Sequence, residues 1–225
     1  MPDITPDKLV LIFIWYMVFL FSTTCHEAAH ALVAKIGGDE TASVGGQVSL
    51  NPIPHIQREP WGMVVIPILF LLLNGSIIGW ASAPYDPNWQ YRHPRRAAWM
   101  ALAGPTTNYL LMLLAAIALR VGISQGWLTA GASTGGVAFA TNVLFAFFSL
   151  NLLLGTFNLI PFPPLDGSSG IMLLMSEKRA QRYLDTLSNS GSYRWIGLLV
   201  AFYVFRYLYG PVEGFATQLF FYSHF

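Results

Sequence analysis

Three residues in one short string could do chemistry together: His26-Glu27-Ala28-Ala29-His30. Residues four apart on a helix share a face, so the two imidazoles can hold one metal ion. Glu27 lies about 100° round the helix from His26, where its carboxylate can take a proton from a water at the metal. The bland alternative is a helix with two packed histidines and one snorkelling glutamate. Context separates the two readings. The 13 residues Leu9–Phe21 just upstream carry no charge. An ionisable side chain inside a membrane helix costs roughly 2.5–3.5 kcal/mol or more and marks function by default. Three within five residues are hard to explain as packing.

Two histidines do not complete a zinc site, because catalytic zinc takes three protein ligands and keeps one position for water. The best third candidate is Asp166, in Asn158-Leu159-Ile160-Pro161-Phe162-Pro163-Pro164-Leu165-Asp166-Gly167. The prolines deny the backbone its helical hydrogen bonds. Irregular backbone at membrane depth is tolerated only against protein or a wet cavity. A carboxylate at that break can face a buried metal, although it could instead merely cap the next segment.

The elements that must carry these groups are apolar. Of 225 residues, 54% are hydrophobic and 10% charged, against roughly 25% charged in soluble domains. The expected class is an all-α integral membrane protein. Its architecture would be a multi-helix transmembrane bundle with a short membrane-associated strand pair or a re-entrant segment. A net charge of +1 leaves no basic face for nucleic acid, and the single cysteine, Cys25, excludes a disulfide framework. Spans are expected over Leu9 to about Ile36, Arg96–Arg120, about Val137–Ile160 and about Trp195–Tyr209. The first is expected to stay in the mature chain, since its flank holds Asp3, Asp7 and Lys8 rather than a basic cluster and no small-x-small site precedes Cys25. Trp61–Trp80 is ambiguous, being apolar but interrupted by Pro67, Asn74, Gly75 and Gly79. Thr41–Asn51, with Gly45-Gly46, could form the strand pair, and Val212–Phe225 reads as an interfacial tail. One domain covers 1–225, with its core at about 9–170 and a C-terminal helix and tail over 171–225.

A shared metal makes a demand on topology. His26–His30 lies late in its helix and Asp166 just beyond Val137–Ile160, so those two helices must run the same way. A full crossing by Trp61–Trp80 would put Asp166 on the wrong side, so that segment should be re-entrant. Lys and Arg then divide nine against three. Lys35, Arg58, Arg92, Arg95, Arg96, Lys178, Arg179, Arg182 and Arg194 share one side; Lys8, Arg120 and Arg206 share the other. The bias of these residues toward cytoplasmic loops puts the site near the cytoplasmic side. A full crossing would give eight against four, so charge favours re-entry only slightly and ligand geometry decides. Segments Thr41–Asn51 and Trp61–Trp80 would then dock an unwound substrate strand by edge pairing, with Gly45, Gly46 and His55 as candidate contacts.

The pair formed by His26–His30 and Asn158–Gly167 resembles the site-2 protease family of intramembrane zinc metalloproteases, in a compact form without PDZ or CBS domains. Those enzymes join H-E-x-x-H to a distant N-x-x-P-x-P-x-L-D-G. Ser49–Ile56 resembles their L-N-P-x-x-H-I stretch, Gly79-Trp80-Ala81 their G-W-A, and Ala103–Asn108 their A-G-P-x-x-N. The resemblance implies Zn²⁺ held by His26, His30 and Asp166, with Glu27 as general base. It implies support of substrate or oxyanion by Asn108 and Asn158, although Asn108 could instead bridge two helices. Two departures are Gly167-Ser168-Ser169-Gly170 in place of D-G-G-R, and Ser82-Ala83-Pro84 after the G-W-A.

The implied activity is hydrolysis of peptide bonds in transmembrane segments of membrane-protein substrates. Implied partners are a transmembrane protein substrate and the lipid bilayer, with regulation through substrate shortening, other proteins or a homo-oligomer. Three rivals remain: a catalytically silent scaffold, a metal transporter, and a membrane metalloprotease acting on soluble peptides. His93 and His224 read as surface and terminal residues.

Overall fold

In the computed structural model, residues 5–129, 135–189 and 193–222 are described, so His224 lies outside them. The first helix, α1, spans Pro6–Gly37 because a long apolar run follows a Thr5 cap and a proline at the helix start. Gly38 ends it at φ 96°, a left-handed turn that suits glycine. The Trp89 indole and the Arg96 guanidinium both donate to the Gly37 carbonyl at 3.0 Å. They satisfy a terminal carbonyl that the helix itself leaves unpaired.

Short helices α2 (Thr41–Val44), α3 (Pro52–Arg58), α4 (Ile66–Asn74) and α5 (Pro87–Arg92) lead to the long α6 (Pro94–Ser124) and then α7 (Gly135–Asn158). The bundle is built round α6, which packs on both α1 and α7. Ile14, Val18 and Phe19 cluster with Ala146 and Leu150, and Ser22 meets Asn151. Rising numbers in α1 therefore meet rising numbers in α7, and the two helices are parallel. α6 runs against them, with Met100 at His30 and Asn108 at His26. The topology that a shared metal demands is the one the chain adopts.

After α7 come the one-turn α8 (Asp166–Gly170), the surface helix α9 (Glu177–Asn189) and α10 (Tyr193–Thr217). Among the described residues, four helices are long and apolar enough to cross a membrane: α1, α6, α7 and Ile196–Phe221. Phe157 at the end of α7 packs on Phe202 and Phe205 of α10 at 4.9 and 5.2 Å between ring centres. The chain is a multi-pass helical membrane protein.

The ambiguous apolar segment doubles back. A π-helical turn over Trp61–Val65 enters α4, which meets α3 at 112°. Gly75 stops α4 at φ 72°, and extended chain returns until the Trp80 amide donates to the Gly62 carbonyl at 3.1 Å. Glu59 fastens the return by accepting from the Trp80 indole at 3.3 Å and the Ser82 hydroxyl at 2.5 Å. Trp61 and Trp80 thus lie at one end, which is the re-entrant alternative.

The strand pair is not formed, and no strand occurs among the described residues. Buried Asp39 is the cause. Its carboxylate accepts from the Thr41 amide at 2.9 Å and hydroxyl at 2.5 Å, which starts a helical turn where extended chain was expected. Its other oxygen accepts from the Asp86 amide at 2.8 Å. Burial alone would raise the pKa of Asp39, but these hydrogen bonds outweigh it and leave the pKa lowered. Gly45 and Gly46 then form a turn, Gly46 at φ 74°. The Asn51 side chain accepts from the Ile53 amide at 3.0 Å and begins α3.

The doubling-back depends on Gly79. A Cβ there would lie 2.4 Å from the Gly62 carbonyl oxygen and from Phe19, and 2.8 Å from Pro67. Gly79→Ala is expected to destabilise the protein by about 1–3 kcal/mol. Thermal unfolding in detergent measures this, and an unchanged midpoint would contradict the close approach.

Candidate metal centre

His26, Glu27 and His30 lie in the later half of α1 on buried faces. Asp166 reaches them from the first position of α8, beyond the proline-rich turn. Gly167 makes the turn feasible, since a Cβ there would lie 2.2 Å from the Leu159 carbonyl oxygen. Across 140 residues of chain, the Asp166 Oδ2 atom sits 3.1 Å from His26 Nε2 and 3.4 Å from His30 Nε2. The two Nε2 atoms are 2.9 Å apart.

The opposite ring nitrogens fix the protons. His30 Nδ1 lies 2.7 Å from the Met100 carbonyl oxygen, which can only accept. His30 therefore carries its proton on Nδ1. His26 Nδ1 lies 2.6 Å from Asn108 Oδ1, which likewise places the proton on Nδ1. With the ring neutral and its proton on Nδ1, each histidine turns an Nε2 lone pair inward. The two Nε2 atoms and one carboxylate oxygen then converge on one point.

This arrangement fits a metal ion. Asp166 Oδ2 and Glu27 Oε2 are buried without a hydrogen-bond partner, an expensive condition for a carboxylate unless something fills the gap. A proton could relieve one pair of acceptors, whereas a divalent cation relieves all three. Tetrahedral bonding at about 2.0–2.2 Å places ligand atoms roughly 3.3 Å apart, close to the observed separations. The candidate ligand atoms of His26, Glu27 and His30 all lie within 4.8 Å of one another. Gly104 of α6 supplies the floor, because a Cβ there would lie 2.4 Å from both Nε2 atoms.

The other expected site residues are placed differently. Asn108, fully buried, uses one end of its amide on His26 and the other on Asn151 at 2.9 Å. It supports the cluster from behind and bridges helices as well. Asn158 donates to the Leu154 carbonyl of its own helix at 3.1 Å. His55 is 1% exposed and lies 3.0 Å from the Ser49 carbonyl oxygen, tying α3 to the turn before it. Gly45 and Gly46 belong to that turned region and not to an extended edge. Gly104, Asn151, Ser22 and the Met100 carbonyl did not stand out as site residues in the sequence. Asn151 had a signal, as an amide inside an uncharged span. The Met100 carbonyl had none.

Helices long and apolar enough to span a membrane, with the one-turn α8, bring two imidazoles and a carboxylate to one buried point, a cluster that could hold a metal ion. Comparison with known sequences gives the family: residues 14–203 match peptidase family M50, and the chain belongs to it. A curated relative in Bacillus subtilis, "Putative zinc metalloprotease YwhC", is 38% identical over 158 residues, covering 67% of this chain and 64% of the relative. "Putative zinc metalloprotease Rip2" of Mycobacterium tuberculosis is 35% identical over 155 residues, covering 68% of this chain and 54% of that one. Rip2 of Mycolicibacterium smegmatis is 29% identical over 166 residues, covering 73% of this chain and 58% of the relative. The chain thus matches less than two thirds of the length of these relatives. No solved structure matches.

Gly104→Ala places a methyl group where the Nε2 lone pairs meet. Stoichiometric binding of a divalent metal should be lost while helix content is kept, as read by metal analysis and circular dichroism. Full metal occupancy would refute the assigned floor.

Proposed function

We propose that the chain is a zinc-dependent endopeptidase that cleaves transmembrane segments of membrane-protein substrates, with its site toward the cytoplasmic side. The observation that carries this reading is the buried convergence of three lone pairs beside a carboxylate with a free oxygen. His26, His30 and Asp166 would hold Zn²⁺. Support comes from the family and from relatives named as zinc metalloproteases. When bound, the metal supplies a Lewis acid that polarises the scissile carbonyl and acidifies a water.

The chain's own groups do the rest. The Oε2 of Glu27 is buried without a hydrogen-bond partner, which leaves it available as the base. It takes a proton from the attacking water and later delivers it to the leaving amine. His26 and His30 keep their Nδ1 protons on Asn108 and Met100 throughout, so their rings do not compete for the transferred proton. Asp166 is held at the start of the one-turn α8 and not in a long helix, which brings its carboxylate against His26 and His30.

The intramembrane substrate class is supported by the cluster's place inside spanning helices. A transporter would spread its ligands along a path, whereas these meet at one point with a base attached. Glu27→Gln should retain zinc and lower cleavage of a transmembrane peptide by about 100- to 10,000-fold. Metal analysis beside a cleavage assay, with and without chelator, measures both. A fully active variant, or a parent protein that prefers soluble peptides, would overturn the respective part of the proposal.

A further inference from the structure

We propose that Asn151, anchored on the Phe147 carbonyl, is a positioning residue that sets the tautomer of His26, and so the direction of its metal-binding lone pair. The inference rests on the metal-centre reading above. His30 needs no such device, because a backbone carbonyl fixes its proton directly. His26 is fixed by the Asn108 side chain, and a side-chain amide can turn over. Turned over, Asn108 would present its NH2 to His26 Nδ1. The ring proton would then move to Nε2, into the space a metal needs.

What prevents this is a directional relay across three helices. Its origin is the Phe147 carbonyl, one turn earlier in α7, which can only accept. The Asn151 amide nitrogen donates to it at 2.9 Å, and to the Ser22 hydroxyl of α1 also at 2.9 Å. Both Asn151 N–H groups are thereby used, and its Oδ1 must face the other way. There it accepts from Asn108 Nδ2 at 2.9 Å. Asn108 Oδ1 is left facing His26 Nδ1 at 2.6 Å. Ser22, Asn108 and Asn151 are each 0% exposed, so no bulk water can replace a missing partner. Ser22 lies one turn before His26 on α1, on the same face. One immovable backbone oxygen thus sets the sense of every hydrogen bond up to the imidazole.

The relay separates two substitutions that a merely structural role would rank otherwise. Asn151→Leu removes the acceptor for Asn108 and frees its amide to turn. Zinc affinity is expected to fall about 10- to 100-fold, and Asn108→Leu combined with it should add little beyond the larger single effect. Asn151→Asp still accepts from Asn108 and should hold zinc within about threefold of the parent, even where it lowers thermal stability. Nitrogen-15 spectra of histidine-labelled, metal-free protein give the second measurement. The parent should show His26 with an unprotonated Nε2, and Asn151→Leu a mixture of tautomers. Ser22→Ala, the mildest change, keeps the Phe147 anchor and should leave the His26 spectrum as in the parent. Equal zinc affinity and an unchanged His26 spectrum in Asn151→Leu would overturn the relay. So would affinity losses in the Asp and Leu variants that simply follow lost stability. A parent that binds no zinc yet shows the single His26 tautomer would overturn the proposed function and leave the relay standing.

Discussion

Two imidazole nitrogens and a carboxylate oxygen, when none carries a hydrogen, repel one another if forced together in an apolar interior. In water such groups would separate or take up protons. Here the backbone of Met100, the Asn108 amide and the turn before Asp166 hold them within 3.4 Å. The bundle is organised round tolerating that arrangement. Low dielectric makes the repulsion severe, and it makes attraction to a cation equally strong. The same surroundings that would destabilise an empty cluster therefore give it affinity for a metal.

Close approach of α1 and α6 is the packing condition behind this. Ala31 and Ala34 on one helix, and Ala97, Ala98 and Ala101 on the other, are all buried. Small side chains let membrane helices come near enough for side-chain amides and carbonyls to reach across. Gly104 continues that series to its limit, where even a methyl group would collide with both imidazoles. The α6–α7 contact adds larger apolar side chains, with Met112, Leu119, Phe148 and Leu152 in one buried cluster.

Much of the candidate site was legible in the sequence, because the cluster gathers rare residues in rare places. His26, Glu27 and His30 announced themselves by spacing and by charge within an uncharged helix. Asp166 stood out through the prolines around it, and the shared-ligand requirement alone implied parallel first and third spans and a doubled-back Trp61–Trp80. What stayed hidden was set by partners distant in the chain. The Met100 carbonyl carries no side-chain signature, and Gly104 looks like any helical glycine until the imidazoles are seen against it. Thr41–Asn51 read as strands because its alternation and glycines fit extended chain. A carboxylate at Asp39 that gathers Thr41 and Asp86 changed the outcome, and only the fold shows Asp86 to be near.

The parallel course of α1 and α7 has a further meaning for how such a protein is placed in a cell. The His26–His30 end of α1 and the end of α7 that leads to Asp166 lie at the same end of the bundle, so the cluster faces one side by construction. Orientation during insertion then decides which side that is. A molecule threaded the other way up would keep every contact described and yet present its cluster to the opposite leaflet. Faithful vectorial biogenesis is thus as much a determinant of where this centre works as any residue that lines it.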